Sequence, residues 1–580
     1  MVPGLFRLKI GLTFTVAFIS LLWLGVLSLR ALDRYVVEPG TIADGNGGIY
    51  TNWITAATQI QWAVNASTNA SDTIWVSNGT YVLTNQINVT SNIVLRSANG
   101  PEVTIVNGGF VENAAVPTNN RCLFLSNISA FVSGFTFSNG ACDTNGGGGV
   151  WIGAGTLSNS TVCNNKSFVP TNFVSLGGGG IFIRPAGTVI ACQVTANNVS
   201  NTAGNSSYGS GGGIMAYGAG CEVYGCVVSN NNITGYAISR GGGGIYAYIG
   251  PRIRSSLICN NMIYSNTTIE GLGGGVHLYE GNAAMESCTV TVNQALTGGG
   301  VYMNRATVTN CLVLNNYARD NGGGFCMYAG NFGYVNYVFN TTIIGNSNMG
   351  VVMTTDNRGG TNQMANCTVE TNVSLGIYIS GNATTAVNIV SNCAVRGNKG
   401  GGIHCNILKS AQFRNCLIAN NTNSGTYAGL RIASGCGTVA VSSCTIVSNI
   451  STNYGAGLRI ETTNGGIFVS SCIIYSNGVG GTNDVYDLWA PTNYNALQYS
   501  CVGTNAGFTG AVIIATNPQF ANFAGGNFHL AGNSPCINAG SNESWMTNAL
   551  DLDKRARIRY GTVDMGAYET IQDATIYRFR

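Results

Sequence analysis

The stretch Gly298-Gly299-Gly300-Val301-Tyr302, followed by Asn310-Cys311-Leu312-Val313-Leu314-Asn315, decides the fold of this chain. Variants of it recur from about residue 146 to residue 477, among them 147–151 (Gly-Gly-Gly-Val-Trp), 242–246 (Gly-Gly-Gly-Ile-Tyr), 273–277 (Gly-Gly-Gly-Val-His) and 400–404 (Gly-Gly-Gly-Ile-His). The last glycines of the runs stand at 149, 180, 213, 244, 275, 300, 324, 350, 376, 402, 429 and 457. Self-similarity at such a regular spacing predicts a solenoid.

Each repeat contains short apolar runs separated by Asn, Gly, Ser and Thr, a pattern typical of short strands and turns rather than helices. A repeat of this length with three such runs has the size of one rung of a parallel β-helix. One rung cannot bury its own apolar face, so stacked rungs make the core, and crossovers between parallel strands are right-handed. The sequence therefore predicts an all-β, right-handed parallel β-helix with three short strands per rung.

Three sequence columns are predicted to point into the core, because side chains alternate along a strand. One residue after the last glycine every position is apolar, from Val150 to Leu458, and so is every position three residues after it. The third column holds Cys192, Cys226, Cys288, Cys311, Cys367, Cys393, Cys416, Cys444 and Cys472, with Ser256 and Thr341 in two rungs. We expect buried, reduced thiols, because in-register neighbours at roughly 4.8 Å with parallel side chains do not suit disulfide geometry.

An asparagine column follows about five residues beyond the cysteines. Its predicted members are Asn197, Asn293, Asn315, Asn372, Asn398, Asn420, Asn449 and Asn477. Stacked asparagines can hydrogen-bond the turns above and below, and asparagine tolerates left-handed backbone angles.

Composition narrows the function classes. Charged residues make up only 8% of the 580 residues and the net charge is +3, so nothing indicates nucleic-acid binding. The chain holds 19 cysteines but no Cys-x-x-Cys pair, which argues against a metal site. We expect no cofactor, with calcium relevant only if the protein is a lyase.

The N-terminus indicates export. Arg7 and Lys9 precede an apolar run over residues 10–29, closed by Arg30. The run is long enough to span a bilayer, and the sequence around Ser28 and Ala31 is a poor cleavage site. A signal peptide and a retained transmembrane anchor therefore both stay open for residues 1–31, and any membrane contact is expected through this segment alone.

Residues 32–72 are predicted to hold an initial strand at 35–37 and an amphipathic helix from Ile54 to Val64 that caps the open end of the solenoid. The first rungs are predicted at 73–76, 79–83, 87–89, 93–97 and 103–109. The β-helix is expected over 73–500 and a small C-terminal β domain over 501–580.

The segments at 73–83 and 93–109 resemble the start of bacterial pectin-lyase-like β-helix proteins, and the repeats resemble that superfamily and the rungs of polymorphic outer-membrane proteins. The far end resembles the domain called choice-of-anchor Q, through residues 528–530, 534–541, 551–553, Arg557 and 563–569. Lys554-Arg555-Ala556 departs from that family's glycine-containing turn, and no sorting helix follows Glu569. The resemblance implies a secreted or cell-surface β-helix protein, and enzymes of this fold act on polysaccharides.

No complete catalytic motif of those enzymes is present. The galacturonase-like set (Asn-x-Asp, Asp-Asp, Gly-His-Gly, Arg-x-Lys) and the pectate-lyase-like Arg-x-Pro-x-x-Arg are absent, and 251–254 is only a superficial echo. His277, Glu280 and Arg305 are the weak catalytic candidates, being the only nearby acid–base residues.

The outward positions are aromatic on several adjacent rungs. The predicted exposed face contains Tyr217, Tyr246, Tyr248, His277, Tyr279, Tyr302 and Tyr328. Exposed aromatic rings with polar tips suit sugars, so the sequence predicts a glycan-binding surface, or one for another surface partner. Three alternatives stay open: ordinary strand packing of aromatics or a covering loop, a polysaccharide lyase or hydrolase, and a structural or adhesive spacer.

Overall fold

The computed structural model describes residues 31–41, 48–112, 120–143, 146–169, 177–201, 207–235, 238–265, 271–356, 358–381, 385–425, 427–452, 455–462, 466–479, 487–490, 497–503 and 510–571. These residues form a right-handed parallel β-solenoid, which confirms the predicted fold class. Each turn gives one short strand to each of three sheets. The first sheet follows the glycines, the second comes next along the chain, and the third leads to the asparagine corner.

The first sheet contains the strands Ile87–Val89, Leu123–Leu125, Val150–Ile152, Ile181–Ile183, Ile214–Tyr217, Ile245–Tyr248, Val276–Glu286, Val301–Thr309, Phe325–Ala329, Val351–Thr355, Ile377–Gly381, Ile403–Leu408, Leu430–Ile432, Leu458–Ile460 and Leu488–Trp489. Val276–Glu286 and Val301–Thr309 continue through the corner into the second sheet. The second sheet otherwise contains Asp33–Val36, Asp72–Val76, Ile93–Ser97, Phe131–Ser133, Thr156–Ser158, Ala186–Ile190, Gly220–Tyr224, Arg252–Arg254, Val335–Phe339, Thr361–Ala365, Val387–Ser391, Ser410–Arg414, Thr438–Ser442, Ile467–Ser470, Leu497–Val502 and Ala511–Ile514.

The third sheet contains Gly79–Val82, Thr104–Asn107, Thr136–Ser138, Thr161–Cys163, Gln193–Thr195, Val227–Ser229, Leu257–Cys259, Thr289–Thr291, Leu312–Leu314, Thr342–Ile344, Thr368–Glu370, Ala394–Arg396, Leu417–Ala419, Thr445–Val447 and Ile473–Tyr475. The predicted first rungs are confirmed within a residue or two of their bounds.

Matching positions of successive rungs pair directly, for example Ile245 with Val276 and Val276 with Val301. All three predicted inward columns are buried as a result, including the cysteine column with Ser256 and Thr341. All 19 cysteines lie in described parts of the chain and none forms a disulfide. Burial opposes ionisation of such thiols, and it raises the pKa of Cys326 to about 12.

The asparagine column forms one continuous ladder. Its members are Asn165, Asn197, Asn231, Asn261, Asn293, Asn316, Asn346, Asn372, Asn398, Asn421, Asn449 and Asn477. Each Nδ2 donates to the Oδ1 of the next rung, as from Asn293 to Asn316 at 3.0 Å. The predictions of Asn315 and Asn420 are wrong by one residue, because each adopts a left-handed φ and thereby turns the following asparagine inward.

The glycines are required by close approach of the backbone. A Cβ on Gly242 would overlap the carbonyl of Ile245, so the chain entering the glycines lies against the strand that leaves them. A Cβ on Gly244 would lie 2.7 Å from the Gly275 carbonyl and 2.8 Å from the amide of Asn261. Contacts this short are available only to glycine.

Between the asparagine ladder and the next glycine run, the rungs over residues 141–321 carry extra strands, here called the side wall. Its seven-stranded sheet contains Ala141–Cys142, Lys166–Val169, Asn198–Asn201, Asn232–Gly235, Met262–Ser265, Gln294–Thr297 and Tyr317–Asn321. Its three-stranded sheet contains Gly177–Gly178, Ser207–Gly211 and Ile238–Gly242. A smaller three-stranded sheet later in the chain, Thr422–Asn423, Ile450–Ser451 and Gly478–Val479, occupies the corresponding corner.

The N-terminal cap differs from its prediction in length. The helix runs from Ile60 to Ala66 rather than from Ile54. The residues predicted as its first turns make other contacts instead. Ala57 pairs with Val36, and the Oδ1 of Asn52 accepts the backbone N–H groups of Ile54 and Thr55. In the described part of the chain no helix is both long and apolar enough to cross a bilayer, and residues 10–29, for which export was predicted, lie outside it.

Residues 527–570, here called the C-terminal clasp, fold back over the third sheet of the last rungs. Apart from the antiparallel pair Phe520–Asn522 and Asn527–Leu530 and the 3-10 turn Ser544–Met546, this part of the chain is irregular. Phe528 packs against Leu417, Ala419 and Val447. The backbone of Gly566 donates to the Ser471 carbonyl at 2.8 Å, which ties the clasp to the solenoid.

The clasp is organised around Arg557, whose side chain is fully buried. Its Nη2 donates to the carbonyls of Asp564 and Gly566 at 2.7 Å each, and its Nη1 lies 3.1 Å from the Oε1 of Glu569. Asp551 and Asp564 are buried beside it and accept backbone N–H groups. The guanidinium thus contacts Glu569 and lies near the buried carboxyl groups of Asp551 and Asp564. Burial raises the pKa of Glu569 to about 8, although the charge of Arg557 opposes this rise.

Candidate functional site

The outward side of the first sheet carries a ladder of three tyrosines. Tyr217, Tyr248 and Tyr279 stand four residues after the last glycine on three successive rungs, and each is half-buried. Their ring centroids lie 4.9 Å and 5.5 Å apart, with interplanar angles of 39° and 32°. The guanidinium of Arg184 lies 4.5 Å from the centroid of Tyr217, so it continues the ladder by one rung. We call these three tyrosines the tyrosine ladder.

The spacing of the tyrosine ladder determines what it presents to solvent. Its centroid separations are close to the rung separation of about 4.8 Å, so the rings lie one above another along the solenoid axis. Ring faces therefore cover each other, and Arg184 covers the outer face of Tyr217. The ladder presents ring edges in a row, and edges with phenol oxygens favour hydrogen bonding over face-to-face stacking.

The predicted exposure of Tyr246, His277 and Tyr302 is wrong. These side chains are 2%, 0% and 9% exposed. They point away from the solenoid core as predicted, but their rings pack on one another, with centroids 4.8 Å and 4.9 Å apart. Leu272, just before the glycines that precede His277, packs against Tyr302. The chain entering the glycines folds back over this column, so strand alternation places the rings outward while the side wall buries them.

Tyr328 does not extend the tyrosine ladder. The intervening rung has Asn304 at the ladder position, and that side chain is 4% exposed. Tyr328 instead donates a hydrogen bond to the Oδ2 of Asp356 at 3.2 Å and packs with Tyr302. The predicted face of seven residues is therefore a buried column, a three-ring ladder and a separate tyrosine.

The three weak catalytic candidates do not form an acid–base set. His277 is fully buried among rings. Glu280 and Arg305 share the same corner on adjacent rungs, both with φ of +57°, but no ion pair within 4 Å joins them in the described chain. The Arg305 guanidinium lies 5.3 Å from the Tyr334 ring instead.

A second cluster lies further along the same sheet, and the sequence reasoning missed it. His404 Nδ1 lies 3.2 Å from the Tyr427 hydroxyl, and Asn406 donates to the Tyr378 hydroxyl at 2.8 Å. Arg431 makes a two-pronged ion pair with Glu461, at 3.1 Å and 2.8 Å. Arg459 donates to the same carboxylate at 2.6 Å and lies 4.5 Å from the Trp489 ring. We call this group the arginine cluster.

The arginine cluster contains more positive than negative charges. Two guanidinium groups share one carboxylate, which leaves one net positive charge. Burial lowers the pKa of His404 to about 4, assisted by Arg431, so the imidazole is neutral near pH 7. Burial alone would raise the pKa of Glu461, but hydrogen bonds from Arg431 and Arg459 bring it below its ordinary value. The sequence did carry a signal for this cluster: His404, Arg431 and Arg459 stand two residues after the last glycine on three successive rungs. Tyr427 gave no such signal, because it lies before the glycines and outside every predicted column.

A metal centre finds no support in the described residues. They contain no group of three or more His, Cys, Asp or Glu side chains arranged to hold an ion. Among the carboxyl groups of the clasp, that of Glu569 lies against the guanidinium of Arg557, at 3.1 Å.

Several solved structures are similar to this chain, with low sequence identity and low TM-scores. The crystal structure of the pectate lyase Pel9A is 12% identical with a TM-score of 0.30, covering 93% of this chain and 97% of that one. The Dettilon tailspike protein (gp208) is 13% identical with a TM-score of 0.30, covering 70% and 68%. A mannuronic acid specific polysaccharide family 6 lyase from human gut microbiota is 12% identical with a TM-score of 0.27, covering 67% and 77%.

Among proteins of curated function, no match was found. A family model described as "Right handed beta helix region" matches residues 179–359 and 357–487, together more than half of the 580 residues. The matched segments contain most of the glycine runs, most of the asparagine ladder, the tyrosine ladder and most of the arginine cluster. On this match and on its three-sheet solenoid, the chain belongs to the right-handed β-helix family.

Proposed function

We propose that this is an exported or cell-surface protein that binds an extended polysaccharide along the outward side of its first sheet. The observation that carries the proposal is the tyrosine ladder: three half-buried rings in register on successive rungs, bordered by the side wall. A ladder of three rungs spans roughly 10 Å at about 4.8 Å per rung, which is about the reach of two sugar rings. Phenol edges at that spacing can hydrogen-bond successive sugars of one chain.

The same surface continues beyond the ladder. From Tyr279 to Arg431 the first sheet rises by six rungs, roughly 29 Å at the same spacing. The arginine cluster stands at that distance with a net positive charge and two arginine–ring contacts, of Arg431 with Tyr427 and of Arg459 with Trp489. An oligosaccharide of several units can therefore contact both groups at once.

A glycan array probed with the full chain, followed by calorimetric titration of the ligands found, tests the proposal. Tyr217→Ala and Tyr248→Ala should each weaken binding by about threefold to tenfold, because each removes a phenol whose hydrogen bond contributes about 1 kcal/mol. Tyr317→Ala is the matched control, since Tyr317 is 47% exposed on the side wall. Circular dichroism should show all variants folded. Absence of glycan binding by the unaltered chain, or equal binding by the ladder variants and the control, would overturn the proposal.

A polysaccharide lyase or hydrolase is the second candidate, and the pair of His404 and Tyr427 favours it. A neutral imidazole in contact with a hydroxyl, beside a guanidinium, is a set of groups that can move a proton near a negatively charged sugar. Reducing-sugar and unsaturated-product assays over a polysaccharide panel, with His404→Gln as the control variant, separate catalysis from binding. Calcium enters only with a lyase, and its addition belongs in the same assay.

Domain roles complete the proposal. Residues 1–31 act as an export signal or membrane anchor, 32–72 begin and cap the solenoid, and 73–500 carry the binding surface. Residues 501–580 act as a C-terminal domain similar to choice-of-anchor Q, part of which folds back over the last rungs. A spacer without a ligand is the remaining alternative. It is favoured if the glycan array and the enzyme assays both fail while the chain is found on the cell surface.

A further inference from the structure

A cavity of about 310 Å³ lies at the N-terminal end of the solenoid, far from the tyrosine ladder in the sequence of rungs. It is bounded by the cap helix Ile60–Ala66 and its lead-in residues on one side, and by residues 81–87 of the first rung on the other. Ile60, Tyr81 and Ile87 are buried beneath it, whereas Trp62 is half-buried at its side. The volume stands at the lower end of the range for small-molecule sites.

One side of this cavity is held by a network of amides. The Oε1 of Gln61 accepts the backbone N–H of Asn88 at 2.7 Å, and its Nε2 donates to the Oδ1 of Asn65 at 2.7 Å. Gln86 donates to the Oδ1 of Asn88 at 2.9 Å and accepts from Arg121 at 3.2 Å. These bonds join the helix to the first rungs, so the cavity is preorganised by groups that already have partners.

The lining is polar but carries no charge. None of the fourteen residues around the cavity is Asp, Glu, Lys, Arg or His, and five of them are Gln or Asn. An ionic ligand would lose its hydration here without meeting an opposite charge in the lining, because the guanidinium of Arg121, behind Gln86, is held by the carbonyls of Gly146 and Gly147 and by Gln86 itself. A purely apolar ligand would leave the exposed amides of Gln59 and Asn85 at the mouth without new partners.

We propose that this cavity binds a neutral sugar, as a single residue or a disaccharide end. The amides of Gln59 and Asn85 each offer a donor and an acceptor, which matches the paired donor and acceptor character of adjacent hydroxyl groups. Trp62 supplies an apolar ring surface against which the C–H face of a sugar ring can pack. The site is separate from the tyrosine ladder, so it stands or falls independently of the surface proposed above.

Ligand-observed saturation-transfer NMR with the full chain tests this, using neutral monosaccharides and disaccharides and their uronic-acid counterparts at equal concentration. We expect transfer to the neutral sugars and at least tenfold weaker binding of the uronic acids. Gln59→Ala and Asn85→Ala should each weaken binding by threefold to tenfold, the range of one hydrogen bond. Both residues are exposed, so neither change should affect folding.

Two controls make the outcome decisive. Gln193→Ala removes an exposed amide on the third sheet, and Tyr317→Ala removes an exposed ring on the side wall. Neither should change the neutral-sugar signal. The proposal is overturned if no neutral sugar shows transfer at millimolar concentration, if uronic acids bind as well as neutral sugars, or if Gln59→Ala and Asn85→Ala behave like the Gln193→Ala control.

Discussion

Asn477 donates its side-chain Nδ2 to the Oδ1 of Asp487 at 2.8 Å, and its backbone N–H reaches the same oxygen at 2.7 Å. All asparagines of the ladder point their Nδ2 toward the C-terminal end, so the last amide requires an acceptor that is not another asparagine. A carboxylate meets that need and is a stronger acceptor than an amide oxygen. Asp487 thus ends the ladder as an acidic cap ends the N-terminus of a helix.

Replacing Asp487 by Ala should destabilise the last rungs by about 1–3 kcal/mol, the cost of leaving a buried donor without its partner. Hydrogen exchange of residues 445–479 is the measurement. Asp487→Asn is the control, because it keeps an acceptor oxygen and should cost less. Equal exchange in the two variants would show that the acceptor at Asp487 does not matter.

Gly300→Ala should destabilise the solenoid around residue 300. A Cβ there would lie 2.7 Å from the Gly324 carbonyl and 2.9 Å from the amide of Asn316, and such overpacking costs on the order of 1–3 kcal/mol. Gly532→Ala is the control, since a Cβ there has no atom within 4 Å. Limited proteolysis and thermal melts should single out the Gly300 variant. Indistinguishable melts would mean that the rungs can shift enough to accept a methyl group.

Native thiol labelling should proceed in two phases. Cys163 and Cys259 are partly exposed, whereas the other seventeen cysteines are buried. Burial raises the pKa of both thiols, so labelling should be slow near neutral pH and faster as pH rises. The double variant Cys163→Ser, Cys259→Ser should lose the first phase, as followed by mass spectrometry. Fast labelling of the cysteine column would contradict the packing described above.

The clasp should loosen as pH rises. The pKa of Glu569 is raised from an ordinary 4.5 to about 8, so the folded clasp holds a proton that the unfolded chain releases. Its contribution to stability is fully present below pH 4.5 and is lost as pH rises through 8. Hydrogen exchange of residues 527–570 between pH 5 and 9 should therefore accelerate beyond the intrinsic chemical rate.

Glu569→Gln keeps the hydrogen-bonding shape and removes the titration, so its clasp should not loosen over that range. The groups that face Glu569 are Arg557, Asp551 and Asp564, with Arg555 donating to its backbone carbonyl. Their arrangement stays the same in the variant. If both proteins loosen alike, the proton is held elsewhere.

The arginine cluster should respond to pH in the opposite direction. Burial lowers the pKa of His404 from 6.5 to about 4, so its contribution to stability is present above pH 6.5 and is lost as pH falls through 4. Local exchange of residues 403–408 should accelerate on acidification. His404→Gln should remove that dependence, and its persistence in the variant would assign the effect to another group.

The core of this protein follows from local rules. Alternation along a strand and a recurring motif placed every inward column correctly, including Ser256 and Thr341 where cysteine is missing. The asparagine ladder was misplaced by one residue only where two asparagines are adjacent, at 315–316 and 420–421. In the described chain the first asparagine of the pair takes the left-handed corner and the second joins the ladder, and the same holds at 164–165, 230–231 and 260–261.

The site was harder to predict, because burial there depends on segments that differ between rungs. Alternation shows that His277 points away from the core, but the segment covering it comes from the longer rungs and has no fixed spacing. The arginine cluster depends on Tyr427, which lies outside every predicted column, and on Glu461, which pairs with arginines of two rungs. These contacts connect positions that no single repeat reveals.

The corner between the asparagine ladder and the glycines has a consequence for how such chains diversify. The rung from Gly213 to Gly244 is seven residues longer than the rung from Gly300 to Gly324, yet both build the same core, and five of the seven lie at this corner, between Asn231 and Gly244 as against Asn316 and Gly324. Lengthening or shortening one insertion there leaves the paired register of the sheets unchanged, but it changes the segment that lies over the outward rings. A surface for a new ligand can therefore arise here by insertion or deletion alone, with no substitution in the rings themselves.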